Sequence, residues 1–486
     1  MRSLFTVLLA AMLLMTGGIL ARPAPAQADP APATAQVCPT CALNSVAAAI
    51  SAAATGTVIE VRGGSYAGPI VVDKPITLRG VDNPVINGQD KGTVIHITSD
   101  NVTITGFTIK GTGSSHDKED AAILVEAEHA TVAENTINDA LFGIVLRKSH
   151  HSVIRDNIVR SKAADIALRG DGIKIWYSDD VVLDGNQASD GRDIILWYSN
   201  RAQVRNNQFN RERYGLHLMF SDKATITGNS LQSNSIGLYI MYSRDPVVTG
   251  NILSNNHGPS GGGLGLKDVD RAVIEGNRFV NNKIAAQVDT SPRELGIENI
   301  WTGNVFAYNE IGLAFMPSVR HNTLTENAFI DNTEQVAILG GGQLRDITWS
   351  KNGQGNYWSD YAGFDANGDG IGDRPYRSEK LFESLMGSHP NLRLFLFSPS
   401  ATAIDFAARA FPSFRPETKL EDSSPLMSPP HSTLLPAANT PSPEQRLAFG
   451  LFGAIAILGA VATIRGLRAN TGGPRVGRRI RRAVAA

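Results

Sequence analysis

The sequence predicts an all-β fold, a right-handed single-stranded parallel β-helix, and three observations carry that prediction. An asparagine returns at one point of a unit of roughly 22 residues, at Asn135, Asn157, Asn186, Asn207, Asn229, Asn251, Asn277, Asn304 and Asn327. Within each unit the apolar residues alternate with period two, as in residues 224–229 and 236–242, so the elements are short strands. No helical pattern interrupts them, so each coil can bury its apolar face only against its neighbours. Stacked strands lie about 4.8 Å apart, which lets asparagines of successive coils form a ladder and satisfy turn backbone that would otherwise be buried unpaired. These asparagines are read as structural.

The remaining elements follow in chain order. Residues 1–28 carry Arg2, an apolar run and Ala26-Gln27-Ala28, the layout of a secretory signal. Residues 29–54 hold the only two cysteines, Cys38 and Cys41 in Cys-Pro-Thr-Cys, and an Ala-rich stretch over 42–54 with Leu43, Val46 and Ile50 on one face. That stretch is expected to be a helix plugging the open end of the solenoid, which would otherwise expose apolar interior and unpaired strand edges. The cysteines read as a disulfide, with a redox pair or half of a soft-metal site as alternatives.

The coils are expected over 55–355. Closing loops follow over 356–388, in which Asp365, Asn367, Asp369 and Asp373 with Gly370 resemble a calcium loop, although Tyr376 stands where an EF-hand has its Glu. The alternative is a hydrogen-bonded Asx turn. Residues 389–413 contain Leu392, Leu394, Leu396, Ile404, Phe406 and Phe411, an apolar helical segment too short to span a bilayer and therefore expected to dock on a partner. A Pro- and Ser-rich tether is expected over 414–446, a transmembrane helix over 447–464 and a basic cytoplasmic tail over 465–486. The solenoid would then be periplasmic and anchored in the inner membrane.

Strand phasing points Ile173, Ile175, Leu216, Leu218, Leu238 and Ile240 inward and their neighbours outward. The outward column reads Arg147, Trp176, Trp197, Met219, Met241, Lys267 and then Met316. Tyr177, Tyr198, Phe220 and Tyr242 occupy the adjoining bend, and His217 and Tyr239 precede the column. An exposed stripe of this composition marks a partner surface. Met219, Met241, His217 and Met316 also offer thioether and imidazole ligands to a transient copper(I), and mutual shielding of the side chains is the bland alternative.

Net charge is −1 with 19% charged residues, which gives no electrostatic footprint for nucleic acid. No Walker-type loop is present, so no nucleotide site is expected. Secreted β-helices often act on polysaccharides, so Asp165, Asp171, Asp190 and Asp193 are candidate acids and bases for a hydrolase or lyase, the runner-up to a non-enzymatic role. They fall mostly at turns, where Asp is common.

Gly63 to Gly80, the Asn-marked coils, the closing Gly355-Asn356-Tyr357-Trp358-Ser359-Asp360-Tyr361 with Asp369-Gly370-Ile371-Gly372-Asp373, and Ala407-Ala408-Arg409-Ala410-Phe411-Pro412 together resemble the NosD family of nitrous oxide reductase maturation proteins. The resemblance covers about residues 42–412. It implies a periplasmic accessory protein that works with an ABC transporter permease, its ATPase and a copper chaperone to mature the copper centres of nitrous oxide reductase. On that reading residues 392–411 engage the permease. The membrane anchor and the Cys38/Cys41 pair depart from the family pattern, which leaves open a paralogue serving another metalloenzyme.

Overall fold

The computed structural model describes residues 33–259, 261–396, 398–411 and 418–430. The predicted signal peptide, transmembrane helix and basic tail lie outside these residues. Among the described residues no helix is long and apolar enough to cross a membrane.

The chain divides into two compact units, residues 1–182 and 183–486. In each, the coils contribute strands to three parallel sheets, here called I, II and III, with the first rung in sheet I alone and the last in sheets I and II. In the first unit, sheet I begins with Thr34–Val37, which pairs with Val58–Val61, and continues through Thr77–Gly80, Thr103–Thr105, Thr131–Ala133 and Val153–Arg155. The segment ahead of the cysteines is thus a rung of the solenoid, where the sequence suggested only an N-terminal extension. Helix α1 spans Val46–Ala52, shorter than the 42–54 expected, because Ser45 caps its first turn by accepting from the Ala48 amide. Val46, Ala49 and Ile50 form its buried face.

In the second unit, sheet I runs from Gln203–Arg205 through Thr225–Thr227 and Val247–Thr249 to Ile347–Thr348, and sheet II ends at Tyr357–Trp358. Inward positions of adjacent coils pair directly. Val204, Ile226 and Val248 are all fully buried, as are Leu218 and Ile240 of sheet III. Each such side chain contributes roughly 1.5–3 kcal/mol through burial. Toward the end of the chain the interior turns aromatic, with Phe279, Phe306, Phe329, Trp358 and Tyr376 stacked at centroid spacings of 4.3–4.9 Å.

The marker asparagines sit at the corner between sheets I and II. Asn229 accepts from Asn207, donates to Asn251 Oδ1 from its amide nitrogen and its side chain, and also bonds the Val204 carbonyl. The residue before each must turn the chain with positive φ, which explains the Gly-Asn pairs at Gly228, Gly250, Gly276 and Gly303 (φ 62–65°). In the second unit the ladder extends past Asn327 to Asn356, and Asp422 terminates it, accepting from the Asn356 amide (2.7 Å) and from Trp358 Nε1 (2.9 Å). Burial pushes the Asp422 carboxyl up, against the pull of these donors.

Asp422 belongs to a stretch read from composition as a tether. That expectation is corrected for residues 418–430. Glu421–Asp422 pairs antiparallel with Tyr376–Arg377, and Lys419 reaches Glu334 (3.0 Å) and Glu383 (3.1 Å), so the chain returns to close the last coil. The Pro and Ser content concealed a short segment in which Asp422 is buried and Lys419 is paired with two acids, while Glu421 and Ser423 stay on the surface.

Candidate functional site

Sheet III of the second unit builds an outer wall. Its registers align Trp197, Met219, Met241, Lys267 and Asp289, so the predicted column is real, and its members are half-buried with their neighbours Leu218 and Ile240 inside. Met316 is placed differently from expectation. Asp289 follows Lys267 and pairs with it at 2.8 Å, and Met316 comes one coil later, its amide donating to the Val288 carbonyl. At about 4.8 Å per coil it lies three rungs from Met241, too far to share an ion with it. Twenty-seven residues separate Asp289 from Met316 where 22 separate Lys267 from Asp289, and that longer coil hides the register.

One outward position earlier, Ile195, His217, Tyr239 and Gly265 align. The sequence suggested an exposed imidazole, but His217 is only 7% exposed, because Tyr214 packs edge-on at 4.9 Å and Tyr239 stacks at 5.9 Å. Burial pushes its pKa down to about 4, with Asp193 opposing and Arg213 assisting. The ring is therefore neutral near pH 7. Neither its Nδ1 nor its Nε2 has a hydrogen-bond partner, and the Nε1 of Trp197 on the preceding coil is likewise buried without one. Buried polar atoms normally find partners, so an unpartnered imidazole beside two in-register thioethers calls for a ligand, whereas the indole N–H can only donate. Neutral imidazole and thioether are soft donors suited to copper(I), and they fit it.

The bend beside the column carries Tyr198, Phe220 and Tyr242 at φ 51–52°, stacked at 4.9 Å from ring to ring. Phe220 is exposed. In the first unit Trp176 follows Arg147 in register and meets the exposed Tyr177 at 5.1 Å. Behind the bend, serines the sequence reading passed over form a further ladder, with the Ser199 amide donating to Ser221 Oγ and Ser221 to Ser243 Oγ. A second asparagine ladder, Asn234, Asn256, Asn282, Asn309 and Asn332, stands between sheets II and III. Both were visible, as a Ser after each bend aromatic and an Asn five residues beyond the markers Asn229, Asn251, Asn277, Asn304 and Asn327.

Next to Tyr239 lies a groove of about 350 Å³ lined by Tyr214, Tyr239, Lys283, Gln287 and Asp289 under Pro259. The Tyr239 ring occupies the space that Gly265 leaves open, since a Cβ there would fall 2.3 Å from its Cδ2. Two of the four candidate catalytic carboxylates are held in ion pairs. Asp193 is buried against Arg213 and the Tyr214 amide, and Asp190 is held by Arg211 through two 2.7 Å bonds. Asp171 is buried, and Asp165 is exposed ahead of the 3₁₀ turn Ile166–Leu168.

The Asp-rich loop is exposed and turned on itself. Asp365 accepts from the amides of Gly370, Gly368 and Asp369, the Gly370 bond being the largest influence, and these hold its carboxyl below the usual range against the opposing effect of burial. Asn367 bonds Asp369, whose Oδ1 accepts from Ile371, and Asp373 accepts from Ala366. Among the described residues no three His, Cys, Asp or Glu side chains are grouped to hold a metal. Cys38 and Cys41 are joined as a disulfide.

The apolar C-terminal segment splits in two. Helix α2, Leu381–Ser388, and helix α3, Pro399–Ala410, enclose Phe382, Met386 and Ala401, and Leu392, Leu396 and Ile404 pack against that cluster. Those three were expected on a docking face, and the structure turns them inward because two short helices need a core of their own. Leu394 (87% exposed), Phe406 (72%) and Phe411 (59%) stay on the surface, joined by Phe395 (55%), which the sequence reading did not single out.

The family model described as "Periplasmic copper-binding protein (NosD)" matches residues 56–170 and 159–363. A Pseudomonas aeruginosa protein named "Probable ABC transporter binding protein NosD" is 32% identical over 76% of this chain and 87% of its own length. A Stutzerimonas stutzeri protein of the same name is 28% identical over 78% and 88%. The A-module of the Azotobacter vinelandii mannuronan C-5 epimerase AlgE4 superposes with a TM-score of 0.51 at 15% identity, covering 63% of this chain and 94% of that one, a likeness of fold alone. Sequence kinship over most of the length, joined to the solenoid and its wall, establishes that the chain belongs to the NosD family of periplasmic copper-binding proteins.

Proposed function

We propose that this protein is the periplasmic partner of an ABC transporter and handles copper(I) as cargo during maturation of the copper centres of nitrous oxide reductase, without itself catalysing a reaction. The carrying observation is the pair of unpartnered nitrogens of neutral His217 beside the paired Met219 and Met241. A thioether does not compete with protons and a neutral imidazole offers its lone pair at once, so the wall can accept a soft ion and release it to a partner with thiolate or additional imidazole donors. The bend aromatics would seat that partner, a copper chaperone or the reductase, and the exposed Leu394, Phe395 and Phe406 would meet the permease.

Anaerobic titration with copper(I) against a competing chelator tests the site. The double substitution Met219→Leu with Met241→Leu is expected to weaken binding at least tenfold, and an unchanged affinity rules the wall out. Purification from detergent-solubilised membranes should bring down the permease and its ATPase.

The groove beside Tyr239 supports a second reading, a saccharide-binding or saccharide-cleaving wall, since a tyrosine face flanked by Gln287 and Asp289 suits a sugar ring. Turnover of a polysaccharide panel by the wild-type protein would favour it over copper handling.

A further inference from the structure

We propose that Cys38 and Cys41 are a redox-gated copper(I) site, closed as the disulfide and opened by reduction to a dithiolate that binds one ion. The proposal rests on the copper reading above and extends it to a second, separate place in the chain.

The disulfide does little that the fold requires. It spans only two intervening residues, so it removes little freedom from the unfolded chain compared with a bond closing a long loop. The backbone around it is fixed by other means. Thr34–Val37 pairs in register with Val58–Val61, the Arg62 amide donates to the Val37 carbonyl at 2.8 Å, and Pro39 packs so tightly on Gly64 that a Cβ there would lie 2.6 Å from its Cγ. On the far side Ser45 caps α1. Opening the bond leaves this scaffold standing.

The loop is also built for access. Pro39 and Thr40 at its tip are exposed and both cysteines are half-buried, so an external thiol can reach the sulfurs without unfolding a coil. Thr40 Oγ1 lies 3.6 Å from Cys38 Sγ, where its hydroxyl can donate to a thiolate and favour that form. The Cys41 amide donates to the Cys38 carbonyl, which holds the loop folded with both side chains on one side of a tight turn. Two thiolates at this spacing are soft donors that select copper(I) over harder ions.

The chemistry balances with one external reductant. A dithiol, from a protein or a small molecule, exchanges with the disulfide, giving two thiols here and a disulfide on the donor, with two electrons and two protons transferred. Binding of copper(I) then displaces the two thiol protons to solvent.

The test uses the full-length protein in detergent, oxidised or reduced with a phosphine, and copper(I) titrated anaerobically against a chelator. The reduced protein should show two titratable thiols, one more equivalent of bound copper than the oxidised protein, and a new ultraviolet sulfur-to-copper band. Cys38→Ser with Cys41→Ser should lose that equivalent and the band, whereas Met219→Leu with Met241→Leu should keep both. The wall site is read separately on the oxidised protein, so the two readings can fail independently. Equal stoichiometry in the two states overturns the proposal. So does rapid hydrogen exchange at the Val58 and Arg62 amides after reduction, which would make the bond a structural staple.

Discussion

Asn251 shows what a single residue does in this fold. Its side chain accepts from both nitrogens of Asn229 and donates to the Ile226 carbonyl and to Asn277, all in the buried corner of the coil. Replacement with Leu keeps the volume and strands those groups, so Asn251→Leu is expected to cost about 2–4 kcal/mol in urea unfolding. His217 makes a contribution of the opposite kind. Above pH 6.5 its ring is neutral whether the chain is folded or not, so stability does not depend on it. Between 6.5 and about 4 the unfolded chain takes a proton that the folded one refuses, and stability falls with pH; below about 4 both forms are protonated and the loss is complete. The loss amounts to roughly 3 kcal/mol. His217→Phe should therefore flatten the pH dependence of the melting temperature across that window relative to wild type.

At the scale of elements, the three sheets were legible because period-two alternation and a fixed-spacing asparagine are local signals, readable from any one coil and reinforced by the next. The inward and outward assignment of Leu216, Leu218 and Met219 followed from alternation alone. Position along the wall was less legible wherever a coil changed length, which is how Met316 was set beside Lys267 in place of Asp289. The helical segment misled for a different reason. Leu392 and Leu394 look alike in sequence, and only the packing of α2 on α3 decides that one turns in and the other out. This gives a sharp contrast. Leu396→Ala is expected to cost about 1–3 kcal/mol in denaturant unfolding. Leu394→Ser and Phe406→Ser should change stability by no more than about 0.5 kcal/mol yet weaken capture of the permease. Asp422 was hidden altogether, since nothing in a Pro- and Ser-rich stretch announces that one carboxylate will end a ladder 66 residues away.

For the whole molecule, stability is a sum of rungs and their interfaces, and the ends decide whether that sum is kept in solution. Ending the chain at residue 417 removes Asp422 and Lys419 together, leaving the Asn356 amide and Trp358 Nε1 without their acceptor and Glu334 and Glu383 with only Arg393 and Lys380 as counter-charges. The truncated protein is expected to melt lower and to associate through its exposed last rung, visible as early elution in size-exclusion chromatography. The wall obeys another rule. A ring held at positive φ, as at Tyr198, Phe220 and Tyr242, costs the backbone about 1–2 kcal/mol, and stacking on its neighbours returns about 0.5–1.5 kcal/mol. The two nearly cancel. That row of pegs is thermodynamically blank, so its side chains can be exchanged to suit a different visitor while the column behind them stays as it is.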